Sequence, residues 1–186
     1  MTEFSHYNTE QLSAESYKNL MIDLEKLVNE IGILFKVNHE TVSVAESVSS
    51  GLLQFSFSQA IDASDFYQGG ITVYTLKQKV LHLNVDENEA QEFDCVSAHI
   101  AATMALNCAK MFQTHWSVAV TGYASRVPES DMKLFAFFSI SHNGKILQTE
   151  KLDLHPETKT LEAQLYYTEF ILKCLKNQID KKNTTL

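Results

Sequence analysis

The chain has 186 residues, 45% of them hydrophobic and only 2 of them proline, which suits one compact domain with a sizeable core. A formal net charge of -8, with Arg126 the only arginine among 15 basic residues, excludes a duplex or phosphate-backbone binder, since such proteins need a clustered basic surface. The polar "MTEFSHYNTEQLSAES" start is no secretory signal, no apolar run approaches the roughly 20 residues of a membrane helix, and the odd trio Cys95, Cys108 and Cys174 suits reduced thiols better than disulfides. The expectation is a cytoplasmic protein with no membrane or nucleic-acid partner.

Leu12, Tyr17, Leu20, Met21, Leu24, Leu27, Val28 and Ile31 recur at three- and four-residue steps, which predicts an amphipathic helix from about Glu10 to Phe35. Thr41 to Ala45 reads as a short buried strand and Gly51 to Ile61 as a helix. "IDASDFYQGG" reads as a turn-rich connection ending in a glycine pair, "ITVYT" as a strand and "LKQKVLHLN" as one or two helical turns. "VDENEAQEFD" reads as an acidic loop. Ser97 is placed to cap a helix whose Ile100, Met104, Cys108 and Met111 share a face.

"WSVAVTG" predicts another buried strand, and "SRVPESD" a loop leading to the strand "KLFAFFSIS". Asn-Gly in "HNGK" favours a two-residue hairpin turn before the returning strand "KILQTEKLDL". From about Pro156 to Lys182 a long helix carries Leu161, Leu165, Phe170, Leu172 and Leu175, with "KKNTTL" expected to fray. This order implies helices on both faces of a sheet that the hairpin makes mixed, a three-layer α/β/α sandwich formed by a single domain over 1-186 with its core at about 10-178.

The stretch "TVSVAESVSSGLLQFSF" passes from an apolar strand through a polar knot into an apolar helix. A strand feeding a helix through a Ser/Gly turn aims N–H groups and a hydroxyl at one point, which suits an anion or a carbonyl under attack. The same turn also reads as a simple helix cap. Glu46 ends a buried strand, where a carboxylate needs a partner, so it is expected to bond the turn or a cation.

The segments "TVSVAESVSSGLL", "FYQGGITVYTLKQKVLHLNV", "CVSAHIAATMALNCAK" and "WSVAVTGYAS" fall in the order and spacing of the C-terminal domain of the competence-damage protein CinA. The chain therefore resembles that family of nicotinamide-mononucleotide amidohydrolases over roughly Glu10 to Gln178. The resemblance implies a serine amidohydrolase that removes ammonia from a carboxamide, needing neither metal nor cofactor. The family motif A-E-S-C-T-G-G stands here as Ala45-Glu46-Ser47-Val48-Ser49-Ser50-Gly51. Ser47 matches the nucleophile, Lys79 the base, Tyr74 the strand tyrosine and Thr121 a further catalytic polar residue. Glu46, Ser49, Ser50, Gly51 and Gly70 are the expected substrate-binding positions, with the amides of Ser49-Ser50-Gly51 as oxyanion donors. The expected partner is a small-molecule carboxamide or nucleotide-like ligand, and the expected assembly a homo-oligomer.

Chemistry supports the pairing, because a serine hydroxyl needs a base and a lysine serves only when burial or a neighbouring cation disfavours its ammonium. Lys77 and Lys79 point in different directions on a helix, which leaves desolvation as the lever. Four departures qualify the resemblance. Ser50 replaces the family's second glycine, where a positive φ carries strain of about 1 to 2 kcal/mol. Tyr123-Ala124-Ser125-Arg126-Val127-Pro128 replaces a glycine-rich loop, and Asp131-Met132-Lys133-Leu134 replaces K-P-V-G. Near the last helix "HPETKTLEAQ" lacks the arginines suited to a phosphate, so turnover of nicotinamide mononucleotide is expected to be weak. The alternative function is a catalytically degenerate binding module. Cys95, His99 and Cys108 fit no common zinc spacing, and Phe135, Phe137 and Phe138 read as core and sheet face.

Overall fold

A computed structural model describes residues 13–184. Five strands, β1 (Val42–Glu46), β2 (Tyr67–Thr72), β3 (Trp116–Gly122), β4 (Leu134–His142) and β5 (Lys145–Leu154), form one sheet in the order β2-β1-β3-β4-β5. β2, β1 and β3 run parallel, whereas β4 and β5 are antiparallel additions. Helices α1 (Ala14–Asn38), α2 (Leu52–Ser58) and α6 (Thr160–Thr184) share one core with Val42, Val44, Trp116, Val118, Val120, Phe138 and Ile140. The opposite face carries α3 (Leu76–Leu83), α4 (Glu87–Glu92) and α5 (Ala98–Phe112). There the strands present Ser43, Ala45, Ser117, Ala119 and Thr121, all buried, and these small side chains let α5 lie close to the sheet.

The three-layer mixed-sheet architecture is the one the sequence implied, with differences at several elements. The acidic stretch folds as α4 because Asp86 caps it, accepting from the Glu89 N–H at 2.9 Å, and Glu87 and Glu89 face the positive end of the helix. β2 begins at Tyr67 and so includes the glycine pair, which was expected to end a connection. A Cβ at Gly70 would stand 2.6 Å from the Val44 side chain and 2.8 Å from Gln54, so this strand needs glycine where α2 presses on it.

Helix α2 stops at Ser58 rather than Ile61. Helix α1 runs three residues past Phe35 and closes on left-handed His39, while the expected start at Glu10 lies outside the described residues. Helix α6 starts at Thr160, not Pro156, and holds to Thr184 instead of fraying, because Lys182 is tied to Glu40 at 2.8 Å and Thr184 to the Asp180 carbonyl. Residues 185–186 lie outside the described residues. Met111 and Leu161 are exposed, although their spacing placed them with apolar faces. The hairpin turn is as the sequence indicated: Asn143 and Gly144 both take positive φ, 47° and 75°.

The chain leaves β1 towards β2 on one side and reaches β3 on the other. The C-terminal ends of β1 and β3 therefore meet where the direction of winding reverses, the position at which open α/β sheets place their ligand sites.

Candidate active site

Ser47 follows the last residue of β1, and its N–H donates to the Val120 carbonyl of β3 at 3.1 Å. The neighbouring Val73 N–H donates to the Glu46 carbonyl at 2.8 Å, so the strand end is fixed from both sides. Lys79 and Leu83 form the buried side of α3, while Lys77, two residues away, is exposed. The structure brings Ser47 and Lys79 together: Nζ lies 2.9 Å from Oγ, with Lys79 only 2% exposed.

The other hydrogen bond of that ammonium goes to the Tyr74 carbonyl at 3.4 Å, and among the described residues Lys79 forms no ion pair. Burial lowers the Lys79 pKa, and the nearby Cys95 and Asp94 only partly restore it. The geometry thus supplies a serine hydroxyl and an amine disfavoured as a cation, within proton-transfer distance.

Glu46 does not partner Lys79. It is fully buried and accepts from the Ser49 hydroxyl and from the N–H groups of Gly51, Leu53 and Gln54 at 2.7 to 3.0 Å. It caps α2, a helix with no side-chain cap of its own at Gly51. This changes the expected oxyanion donors, because the Gly51 amide belongs to Glu46 and the Ser50 amide to the Ser47 carbonyl at 3.2 Å. In the turn from Ser47 to Gly51 the amides left without a hydrogen bond among the described residues are those of Val48 and Ser49. Val48 directly follows the serine, which is the usual place for such a donor in nucleophile turns.

Ser47, Val48, Lys79, Thr121 and Tyr123 line a cavity of about 400 Å³, whose wall also includes Tyr74, Asp94, Cys95 and Glu129. The positions expected to bind substrate fall elsewhere. Glu46 and Ser49 are buried under α2, Ser50 and Gly51 form the turn, and Gly70 is the packing point of α2 on β2. Tyr74 is 71% exposed and holds Lys79 through its carbonyl rather than its hydroxyl. Thr121 is fully buried, and its hydroxyl donates to the Cys95 carbonyl at 2.8 Å. That bond pins Asp94 and Cys95, which both take left-handed backbone with φ of 45° and 63°.

Sequence reasoning assigned no site role to Asp94, Cys95, Tyr123, Glu129 or Gln164. Gln164 reaches from α6 to the Val48 carbonyl at 2.9 Å, and Tyr167 to the Tyr123 carbonyl at 3.1 Å, so α6 braces both sides of the cavity. No local spacing announces these residues. Only the polarity of Gln164 in an apolar helical pattern was available as a signal. Of the cysteines weighed as metal ligands, Cys108 bonds Ser43, while His99 pairs with Glu89. Among the described residues no group of three His, Cys, Asp or Glu is placed to hold a metal, and no helix is long and apolar enough to cross a membrane.

The family model of the CinA C-terminal domain matches residues 24–175. A CinA-like protein of Microcystis aeruginosa is 35% identical over 111 residues, and one of Nostoc punctiforme 30% over 112; the match covers 60% of this chain and 27% of either relative. The chain thus spans about a quarter of the length of the curated relatives it matches. A competence/damage inducible protein, CihA, of Agrobacterium tumefaciens superposes with a TM-score of 0.78 at 25% identity, covering 85% of this chain and 96% of that one. A competence or damage-inducible protein of Enterobacter asburiae gives the same score at 20% identity, covering 84% and 98%.

Proposed function

This chain belongs to the CinA C-terminal domain family, and from that premise we propose that it is a serine amidohydrolase cleaving a primary carboxamide, with Ser47 as nucleophile and Lys79 as base. The observation that carries the reading is the 2.9 Å approach of Lys79 Nζ to Ser47 Oγ in a buried site where, among the described residues, the amine has no carboxylate partner. As Oγ bonds the carbonyl carbon, its proton passes to neutral Nζ, and the Val48 N–H receives the developing oxyanion. Collapse breaks the C–N bond, and Lys79 returns that proton to the leaving nitrogen, which departs as ammonia. Water then attacks the acyl-serine, and its proton goes by way of Lys79 to Oγ, giving the carboxylic acid and free Ser47. Tyr74, through its carbonyl, and Thr121, through the Cys95 loop, are positioning residues.

One observation favours the alternative of a noncatalytic binding module. The Ser50 and Gly51 amides, expected to receive the oxyanion, are already engaged. The test is ammonia release from nicotinamide carboxamides, beside acylation of Ser47 by an activated-ester probe. Ser47→Ala should lose at least about a thousandfold in either rate with an unchanged melting temperature. A wild-type chain that neither releases ammonia nor acylates would leave the binding module as the better account.

A further inference from the structure

We propose that the substrate of this site is a carboxamide bearing a positive charge and no phosphate, seated with its cation beside Asp94 and Glu129. This rests on the hydrolase reading above and specifies its substrate class. The charged residues on the cavity wall are Lys79, Asp94 and Glu129. Lys79 is buried against Ser47, whereas Asp94 and Glu129 are exposed, so among the described lining residues the charges at the mouth are carboxylates.

Asp94 meets Tyr123 directly, and Glu129 lines the same wall. The Tyr123 hydroxyl donates to Asp94 at 2.7 Å, and burial, then Asp94, then Glu129 push the phenol pKa up. The Tyr123 and Phe135 rings meet in a T-shaped contact, with centroids 5.3 Å apart, and a tyrosine ring attracts a cation to an open face.

The cations nearest the wall are Arg126, which is already paired, and exposed Lys159 beside the lining Thr160, a point charge without the two-pronged fork of an arginine. Arg126 sits between the lining residues Ser125 and Val127, yet its guanidinium pairs with Glu157 at 2.8 Å. Thr160 brings the start of α6 to the wall, where a helix attracts anions, but Glu162 occupies that first turn and Glu157 stands just before it. A phosphate of about two negative charges would meet carboxylates without an arginine to receive it. A pyridinium or an ammonium meets the reverse.

The test compares nicotinamide riboside, a cationic carboxamide without phosphate, with nicotinamide mononucleotide and uncharged nicotinamide. Two readouts are taken on the full chain: kcat/KM for ammonia release by wild type, and equilibrium binding to Ser47→Ala. The riboside should exceed the mononucleotide by at least about tenfold in both. In the double variant Asp94→Asn with Glu129→Gln the preference should fall below about threefold, through KM rather than kcat. Asparagine suits the left-handed backbone at 94 and still accepts from Tyr123, so the variant retains the loop. Equal or tighter binding of the mononucleotide, no riboside binding at millimolar concentration, or a preference that survives the double variant would each overturn the proposal. If no amide releases ammonia while Ser47→Ala still prefers the riboside tenfold, the hydrolase reading fails and the ligand class stands.

Discussion

The two ends of strand β1 bury ionisable groups in opposite ways. At its N-terminal end Glu40, 8% exposed, accepts from the Trp116 indole at 2.8 Å, from His142 at 2.7 Å and from Lys182 at 2.8 Å. At its C-terminal end Lys79, 2% exposed, has among the described residues only a hydroxyl and a distant carbonyl. Burial raises a carboxyl's pKa, yet the bonds from Lys182, Trp116 and His142 overcome it and bring Glu40 down to about 2. For Lys79 nothing of comparable strength opposes burial, and its pKa falls. One end is satisfied and ties α6 to the start of β1. The other is left short of partners, the condition that proton transfer requires.

The largest expected effect that would break this contrast is on stability, at the satisfied end. Glu40→Gln keeps the shape but removes the charge, leaving the Lys182 ammonium without its carboxylate. From an ordinary 4.5 to about 2 the depressed carboxyl contributes about 3 kcal/mol at neutral pH, or about 10 °C in melting temperature. Because the folded pKa lies below the unfolded one, that contribution is complete above pH 4.5 and disappears as pH falls towards 2. The wild-type and Glu40→Gln melting curves should therefore converge across that window, while Ser47 acylation at neutral pH stays unchanged. Coincident curves at pH 7 would show that the buried network adds nothing.

At the unsatisfied end the sign reverses. Lys79 is charged in the unfolded chain up to its ordinary 10.5 and sheds its proton more readily when folded, so the folded state binds fewer protons and stability rises with pH across that interval. Lys79→Met, which keeps the apolar stem and removes the amine, should melt higher than wild type at pH 7. Its advantage should shrink as pH approaches 10.5. Acylation of Ser47 should be lost in the variant, and in wild type its rate should rise with pH through a midpoint below 10.5. A lower melting temperature for Lys79→Met would mean that the folded chain does provide the ammonium with a stabilising partner.

The two ends also differ in how far they were legible in the sequence. Ser47 and Lys79 stand in local motifs that follow consecutive strands, so topology alone carries them to the same edge of the sheet. The Glu40 network draws on Trp116, His142 and Lys182, each from a different element, and no spacing relates them. Trp116 and His142-Asn143 accordingly read as no more than a strand start and a turn. The element order, the hairpin and the Ser97 cap were visible because caps and Asn-Gly turns act within a few residues. The six-residue α4 was missed because a charged segment has no apolar stripe, and its Asp86 cap was weighed as part of an acidic loop. The expectation that Glu46 bonds the turn is met at Ser49 and Gly51, whereas its reach to the Leu53 amide exists only once α2 folds back over its own strand.

The smallest expected effect tests whether the site end also stores backbone strain. Ser50 takes a left-handed φ of 52° at a position where the resembling motif has glycine, and its exposed hydroxyl reaches the Ser47 carbonyl only at 3.4 Å. Left-handed backbone costs a non-glycine residue about 1 to 2 kcal/mol, while glycine adds about 0.4 to 1 kcal/mol of unfolded-state entropy. Ser50→Gly should thus stabilise the fold by under about 1 kcal/mol, a rise of about 2 °C. The turn is independently held by Glu46, which takes the Gly51, Leu53 and Gln54 amides, and by the Gln164 bond to Val48. Relief at Ser50 should therefore leave the aim of Ser47 and Val48 intact, with acylation changed by less than about threefold. If acylation instead falls by tenfold or more while the melting temperature rises, the strain at Ser50 is what presents Ser47 to its substrate. The lack of partners around Lys79 would then be only half of what distinguishes this end of β1 from the other.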